Sequence, residues 1–175
     1  MKVTGIVRRI DDLGRIVIPK EIRKTLRVKD GESLEIYLDD DSIVLKKYFP
    51  LEKTSDFYKN YVTSIHEIIG ENIVIVDRDT VLAFAGELKK KYLNKRISKL
   101  IDDSIENRVN VYEKEPKELN LSGEEIEKVS YILAPIITDG DAIGAVIIFS
   151  LSKELDEFYE KIVVIAAKFL GKYIE

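Results

Sequence analysis

The sequence predicts an α+β protein in two parts, and three observations support this prediction. Runs rich in β-branched residues alternate with turns that contain Gly or Asp, which indicates antiparallel strands. Three segments repeat apolar residues at the spacing of an amphipathic helix. Pro50 and the polar run up to Asp56 mark a boundary without a long linker. We therefore expect one domain over residues 1–50 and a second over residues 54–175.

The N-terminal domain is predicted to follow the order strand, strand, helix, strand, strand. Two short strands, over 4–10 and 15–18, flank a turn, and residues 20–27 form a two-faced helix. Residues 33–38 and 42–47 show the alternation of a β-hairpin. A domain of about 50 residues buries too little surface to be comfortably stable alone. We expect it to complete its core by dimerising.

The C-terminal domain is predicted to place an antiparallel sheet among helices. An Asp-Gly turn joins the strongest hairpin of the chain. The last helix is apolar around more than one stripe, which predicts a helix of another subunit as its partner. The predicted elements are a helix over 55–69, strands over 72–77 and 81–85, a short helix over 97–105, a hairpin of 131–138 with 142–150, and a helix over 155–174.

Basic residues are concentrated at the N-terminus. The first 29 residues hold nine Lys or Arg and three acids, so they carry a charge of +6. The remaining chain carries −10, which gives the net charge of −4. A basic segment on an acidic chain is typical of a surface that binds a polyanion such as nucleic acid. A merely solvated basic surface is the alternative that charge alone leaves open.

Composition excludes several kinds of chemistry. The chain has no cysteine and one histidine, His66, so disulfides, thiolate nucleophiles, Cys-ligated zinc and a His pair are absent. We expect His66 to be partly buried at the border of its helix. The Asp-rich segments fall where turns recruit Asp, so no catalytic residue and no metal ligand is predicted. No apolar run is long enough for a membrane helix and no signal peptide is evident, so a cytoplasmic protein is expected.

A run of lysines and a set of tyrosines are interpreted as structural rather than functional residues. Lys89, Lys90 and Lys91 are predicted to form a solvated face. Aromatic side chains at helical or strand spacing usually belong to a core or an interface rather than to a base-stacking platform. That expectation applies to Tyr58, Tyr61, Tyr112, Tyr131, Tyr159 and Tyr173.

The string TGIVRRIDDLGRIVIPKEIRKTLRVKDGESLEIYLDDDSIVLKKY closely resembles the swapped-hairpin DNA-binding domain of the AbrB-type regulators. The resemblance implies that two chains exchange hairpins into one β-barrel. It also implies that arginines of the first strand, the loop and the helix face DNA, and the matching positions are Arg8, Arg15, Arg23 and Lys24. Lys24 stands where the family often has a second helix arginine, so a point charge replaces a bidentate contact there. Supporting candidates for DNA contact are Lys2, Arg9, Lys20 and Arg27.

The segment LAPIITDGDAIGAVIIFS and the helix after it resemble a GAF sensory domain. An AbrB-type domain followed by a GAF-like domain resembles a family of regulators of spore-forming bacteria. That resemblance implies activation and repression of genes in the developing spore, a nucleoid location, and dimers paired into a tetramer through the C-terminal helices. No cofactor is implied, and an unidentified small-molecule ligand of the GAF-like domain is the open expectation. Asn94-Lys95 begins a motif of cyclic-nucleotide-binding GAF domains, but the residues that follow do not continue it.

Two other functions are alternatives to a regulator of transcription. Swapped-hairpin domains also occur in antitoxins, which neutralise a toxin through a C-terminal tail that is usually disordered. Here the C-terminal part is predicted to fold, and a co-purifying small toxin would favour that alternative. An enzyme with a basic appendage is the third interpretation, but no catalytic residue can be named for it.

Overall fold

A computed structural model describes residues 5–26, 28, 30–31, 33–48, 55–123 and 125–174. The chain divides into two compact units, Met1–Tyr48 (unit 1) and Phe49–Glu175 (unit 2). The candidate residues Lys2 and Arg27 lie outside the described residues.

The described residues of unit 1 include one helix and one hairpin. Helix α1 spans Lys20–Leu26, which confirms the predicted helix. Strands β1 (Leu34–Asp39) and β2 (Ser42–Lys47) pair antiparallel, as the alternation predicts. Asp40 takes a positive φ of 47° in the turn between them, a conformation that Asp tolerates better than most residues. The hairpin is therefore fixed locally, by its turn and its alternation.

The two strands predicted at 4–10 and 15–18 are not strands in the single chain. A strand needs a neighbouring strand to which its backbone is hydrogen-bonded. The described residues 5–10 and 15–18 have no such ladder within the single chain. The turn between them does form. The N–H of Gly14 donates to the carbonyl of Asp11 at 3.0 Å, and the N–H of Asp11 donates to the carbonyl of Arg15 at 3.0 Å.

The described residues of unit 1 form almost no interior of their own. Among them only Pro19 is buried. Large apolar side chains stay in solvent, including Val7, which is 87% exposed, and Leu38, which is 83% exposed. Large apolar side chains left in solvent in this way are typical of an interaction surface.

Unit 2 is a five-stranded antiparallel sheet between two layers of helices. The strand order is β4-β3-β7-β6-β5. Strand β7 is the central strand, its hairpin partner β6 lies beside it, and β4 and β5 are the edge strands. The elements are α2 (Ser55–Ile69), β3 (Asn72–Asp77), β4 (Val81–Ala85), α3 (Lys89–Tyr92), α4 (Lys99–Glu106), β5 (Val111–Asn120), β6 (Ile126–Thr138), β7 (Asp141–Ser150) and α5 (Glu157–Ile174).

Each face of this sheet has its own hydrophobic core. Helices α2 and α5 cover one face, where Val62 and Leu170 pack with Ile148 of β7. Helices α3 and α4 contribute to the other face, where Tyr92 and Ile101 belong to the cluster of buried residues around the sheet. Strand β7 supplies alternate residues to the two cores, as a strand buried on both sides must. Unit 2 thus forms two hydrophobic cores from residues of a single chain.

Most predicted elements of unit 2 are confirmed, and one strand and one short helix were missed. The bounds of α2, β3 and β4 match the prediction, and α4 begins at Lys99 with Ser98 as its N-cap. Strand β5 escaped prediction because its sequence VYEKEPKELN is charged and contains Pro116. At a sheet edge with an irregular register these residues are tolerated. None of the described helices is long and apolar enough to cross a membrane.

Candidate nucleic-acid interface

Arg15 is held by the turn that precedes it. One carboxylate oxygen of Asp11, Oδ1, accepts the backbone N–H groups of Leu13 at 3.1 Å and of Arg15 at 2.7 Å. The other, Oδ2, accepts the side-chain Nε–H of Arg15 at 2.8 Å. These hydrogen bonds, first from the backbone of Arg15 and then from its side chain, lower the pKa of Asp11. We call residues 11–15 the basic turn.

Helix α1 displays three of the candidate cations. Lys20, Arg23 and Lys24 are spaced i, i+3 and i+4, so they share one face of the helix. Lys20 and Lys24 are exposed, whereas Arg23 is half-buried. The Nη1 of Arg23 donates to Asp30, and its buried Nε has no hydrogen-bond partner among the described residues.

The segment before the basic turn displays the other two described candidates. Arg8 and Arg9 are exposed, and no ion pair joins either to another described residue. Six of the eight candidate cations thus lie in unit 1 where the structure describes them, on the segment 5–10, the basic turn and α1. The acidic partners Asp11 and Asp30 were not foreseen as part of this surface. The signal for Asp11 was its position four residues before Arg15.

Unit 2 carries a separate polar cluster that corrects the prediction for its lysine run. Lys91 is not simply solvated, because its Nζ pairs with Glu125 and, at 2.5 Å, with Glu127. The hydroxyl of Tyr92 donates to the same oxygen of Glu127 at 2.8 Å. These partners raise the pKa of Lys91 and lower that of Glu127, while burial raises the pKa of Tyr92 to about 12. The cluster fastens α3 to the start of β6.

His66 and Asp77 make hydrogen bonds that stabilise local structure. His66 is partly buried, as predicted, with Nδ1 at 2.8 Å from the carbonyl oxygen of Glu71. Asp77 is buried and accepts the N–H groups of Asp79 and Thr80, both at 2.6 Å, in the turn after β3. Across the described ranges, no group of three or more His, Asp or Glu side chains is arranged to hold a metal ion.

Three of the six tyrosines predicted to lie in a core or an interface are in the cores, whereas Tyr112 is 37% exposed on β5. Tyr58, Tyr131 and Tyr159 are buried, as expected for core residues. A partly exposed stack of rings joins α2 to α5. Its closest pair is Phe57 with Tyr173, whose centroids are 4.3 Å apart, and Tyr61 with Phe169 follows at 5.5 Å. We call these four residues the aromatic group.

Comparisons with known proteins match both units. The family model for the C-terminal region of stage V sporulation protein T, a transcription factor, matches residues 53–175. The model for the antidote-toxin recognition protein MazE, a bacterial antitoxin, matches residues 7–50. Stage V sporulation protein T of Bacillus subtilis (strain 168) is 46% identical, covering 100% of this chain and 99% of that protein. The transition state regulatory protein AbrB of the same organism is 60% identical over 50 residues, 29% of this chain and 52% of that protein.

A solved structure matches the fold at low identity. The cofactor-binding GAF domain of the nutrient sensor CodY from Clostridium difficile aligns with a TM-score of 0.53 at 13% identity, covering 89% of this chain and 94% of that chain. This confirms the prediction of an α+β chain whose larger part is GAF-like.

Proposed function

Because the chain belongs to the stage V sporulation protein T family of transcription factors, we propose that it binds duplex DNA through unit 1 and regulates sporulation genes. The proposed DNA surface consists of Arg8, Arg15, Arg23 and Lys24, supported by Lys2, Arg9, Lys20 and Arg27. The proposal includes both activation and repression of those genes. Binding to the chromosome would put the protein in the cytoplasm, at the nucleoid.

The observation that carries the proposal is that most of the described candidate cations are exposed and have no ion-pair partner among the described residues. Arg8, Arg9, Lys20 and Lys24 are exposed and make no ion pair with another described residue. Exposed, unpaired cations on one small unit are the electrostatic footprint of a polyanion site. Dimerisation would double this field and give it the two-fold symmetry of a pseudo-palindromic duplex.

The salt dependence of binding measures how many of these cations meet phosphate. If four cations from each of two chains do so, the slope of log affinity against log salt reaches about −7. Removing one phosphate contact from each chain should make that slope shallower by about 2.

The experiment compares duplex binding by the wild type, Arg8→Ala, Arg15→Ala, Arg23→Ala and Lys99→Ala across a salt series. Lys99 is an exposed cation of unit 2, so its variant removes the same charge from outside the proposed surface. We expect shallower slopes for the three arginine variants and an unchanged slope for Lys99→Ala. Equal binding by all five proteins would refute the assignment of the surface, and absence of binding by the wild type would refute DNA binding.

We further propose that the protein is a tetramer, with dimers formed through unit 1 and paired through α2 and α5 of unit 2. Ile165, Phe169 and Tyr173 leave large apolar surface exposed along α5, and the aromatic group continues it onto α2. Phe169→Glu should convert tetramers into dimers in light scattering, whereas Lys168→Glu, an exposed neighbour, should not. A tetramer that survives Phe169→Glu would exclude this surface.

Ligand sensing by unit 2 stays a prediction that rests on its GAF-like fold. A thermal-shift screen with intracellular metabolites is the test, and a reproducible rise in the melting temperature with one class of compound would support it. No shift across a broad panel would favour a purely structural role for unit 2.

The antitoxin alternative is less well supported than the regulator. The match to the antitoxin model is confined to residues 7–50, the part that both kinds of protein share in the proposed DNA-binding role. Residues 53–175 match the sporulation transcription factor instead, and unit 2 has two hydrophobic cores rather than the features of a tail. Co-purification of a small toxin at fixed stoichiometry would reverse this preference.

A further inference from the structure

The two acids that pair with candidate DNA-binding arginines hold them in different ways. Asp11 accepts the Nε–H of Arg15 at 2.8 Å and so leaves both terminal nitrogens outside its hydrogen bonds. Asp30 accepts from Nη1 of Arg23, which is one of the two terminal nitrogens with which arginine can make a bidentate contact to a base or a phosphate. Asp11 therefore orients its arginine and leaves the terminal nitrogens available, whereas Asp30 occupies one of them.

The surroundings of Arg15 favour an orienting role for Asp11. The Arg15 side chain is 72% exposed, whereas that of Asp11 is 37% exposed, so the guanidinium projects from a partly shielded carboxylate. The other oxygen of Asp11 is fixed by the backbone N–H groups of Leu13 and Arg15. The carboxylate cannot rotate without breaking the basic turn, so it gives the Arg15 side chain a fixed anchor.

We propose that Asp11 is a positioning residue that presents the terminal nitrogens of Arg15 to a base edge in a preset orientation. The proposal rests on the proposed DNA-binding function and adds a determinant of sequence preference to it. An arginine fixed before binding loses less side-chain entropy on binding, and a fixed fork matches guanine in fewer geometries than a mobile one. Asp11 would therefore favour specific over non-specific duplex.

Simple electrostatics predicts the opposite effect for an acid at a DNA surface. Removing a negative charge near phosphate should strengthen binding to any duplex. Asp12 provides the matched control, because it is exposed, adjacent to Asp11, and forms no side-chain hydrogen bond or ion pair with another described residue. Asp12→Asn and Asp11→Asn remove the same charge at neighbouring positions.

The experiment measures affinity for a duplex selected by the wild type from a random library and for a scrambled duplex of equal length and composition. We expect Asp12→Asn to bind both duplexes as tightly as the wild type or more tightly. Asp11→Asn should lower the ratio of specific to non-specific affinity about fivefold or more, the scale of losing one good bidentate contact. Asparagine still accepts the N–H groups of the turn but cannot accept the Nε–H of Arg15.

A double-mutant cycle separates positioning from a structural effect. In the Arg15→Ala background, Asp11→Asn should leave the ratio unchanged, because the side chain on which Asp11 acts is gone. A similar loss with and without Arg15, or equal behaviour of Asp11→Asn and Asp12→Asn, would overturn the inference. If circular dichroism shows that Asp11→Asn is unfolded, Asp11→Ser, whose hydroxyl also caps turns, takes its place. Failure of the wild type to select any duplex would instead refute DNA binding itself.

Discussion

The two units of this chain treat their apolar residues in opposite ways. In unit 2, alternate residues of a five-stranded sheet fill two cores, and helices cover both. In unit 1, Pro19 is the only buried residue among those described, although the same kinds of apolar side chains are present. Unit 2 builds two cores within one chain, whereas the described residues of unit 1 leave almost all of their apolar side chains outside any core. From this difference we expect the stability of the proposed DNA-binding unit to depend on assembly with a second copy.

The largest expected effect is the loss of core packing in unit 2. Ile147 lies fully buried on β7, so Ile147→Ala should lower the free energy of unfolding by about 2–5 kcal/mol. Urea denaturation followed by circular dichroism provides the measurement. Val109→Ala, at an exposed position, is the control and should stay within about 0.5 kcal/mol. Equal effects of the two substitutions would contradict the assignment of the core.

A substitution in unit 1 tests its dependence on a second copy. Leu38 is 83% exposed in the single chain, so Leu38→Ala would change stability little if unit 1 stayed alone. If a second copy covers it, the substitution should cost about 1.5–3 kcal/mol. The unfolding midpoint of unit 1 should also rise with protein concentration. A small effect that is independent of concentration would show that unit 1 is stable by itself.

Gly171 tests how closed the core of unit 2 is where α5 meets β6. A Cβ at this position would collide with the backbone carbonyl oxygen of Ile137. Alanine normally stabilises a helix interior relative to glycine by about 1 kcal/mol, but forced repacking typically costs about 1–3 kcal/mol. We expect Gly171→Ala to destabilise unit 2 by up to about 2 kcal/mol, the difference between these ranges. Lys172→Ala, at an exposed position, should be close to neutral, and stabilisation by Gly171→Ala would disprove the close contact.

The smallest expected effect concerns the charged cluster that fastens α3 to β6. Because the pKa of Glu127 is lowered in the folded protein, its pairing stabilises unit 2 above the ordinary Glu value of about 4.3. That stabilisation should be lost as the pH falls through the lowered pKa. The raised pKa of Lys91 keeps its charge at neutral pH, and its stabilisation is lost only above the ordinary Lys value of about 10.4.

Thermal melts of the wild type and Glu127→Gln measure this effect. The wild type should melt at a higher temperature by a constant margin between about pH 6 and 9, and the margin should shrink as the pH falls below the ordinary Glu value of about 4.3. A margin that persisted in acid would mean that packing of the side chain, rather than its charge, accounts for the effect.

Local pattern predicted most elements of unit 2, and of the two it missed the strand β5 is the more instructive. The helix Ser55–Ile69 and the strands Asn72–Asp77 and Val81–Ala85 carry clear periodicity and have the predicted bounds. The charged strand Val111–Asn120 carries none, because one of its edges faces solvent and its side chains need not alternate. This strand forms because its backbone pairs with β6, and the local sequence of residues 111–120 does not reveal that pairing.

The proposed DNA surface shows the same division. Charge, helical spacing and the resemblance of residues 4–48 to AbrB-type domains selected its cations from the sequence. The acidic partners of those cations, Asp11 and Asp30, were not predicted from the sequence. That Asp11 meets Arg15 through Nε, and Asp30 meets Arg23 through a terminal nitrogen, depends on side-chain geometry within one turn and across seven residues.

The sequence by itself determined the two-part organisation, the family, most helices and strands, and which residues carry the positive charge, because periodicity, turn residues and charge are local properties. Only the tertiary structure decided that unit 2 has two cores while the described residues of unit 1 form almost none, that Lys91 is fastened to Glu127, and which nitrogen of each arginine its acid holds. Those features depend on distances between residues far apart in sequence or on the direction of single side chains, which are fixed only when the chain is packed.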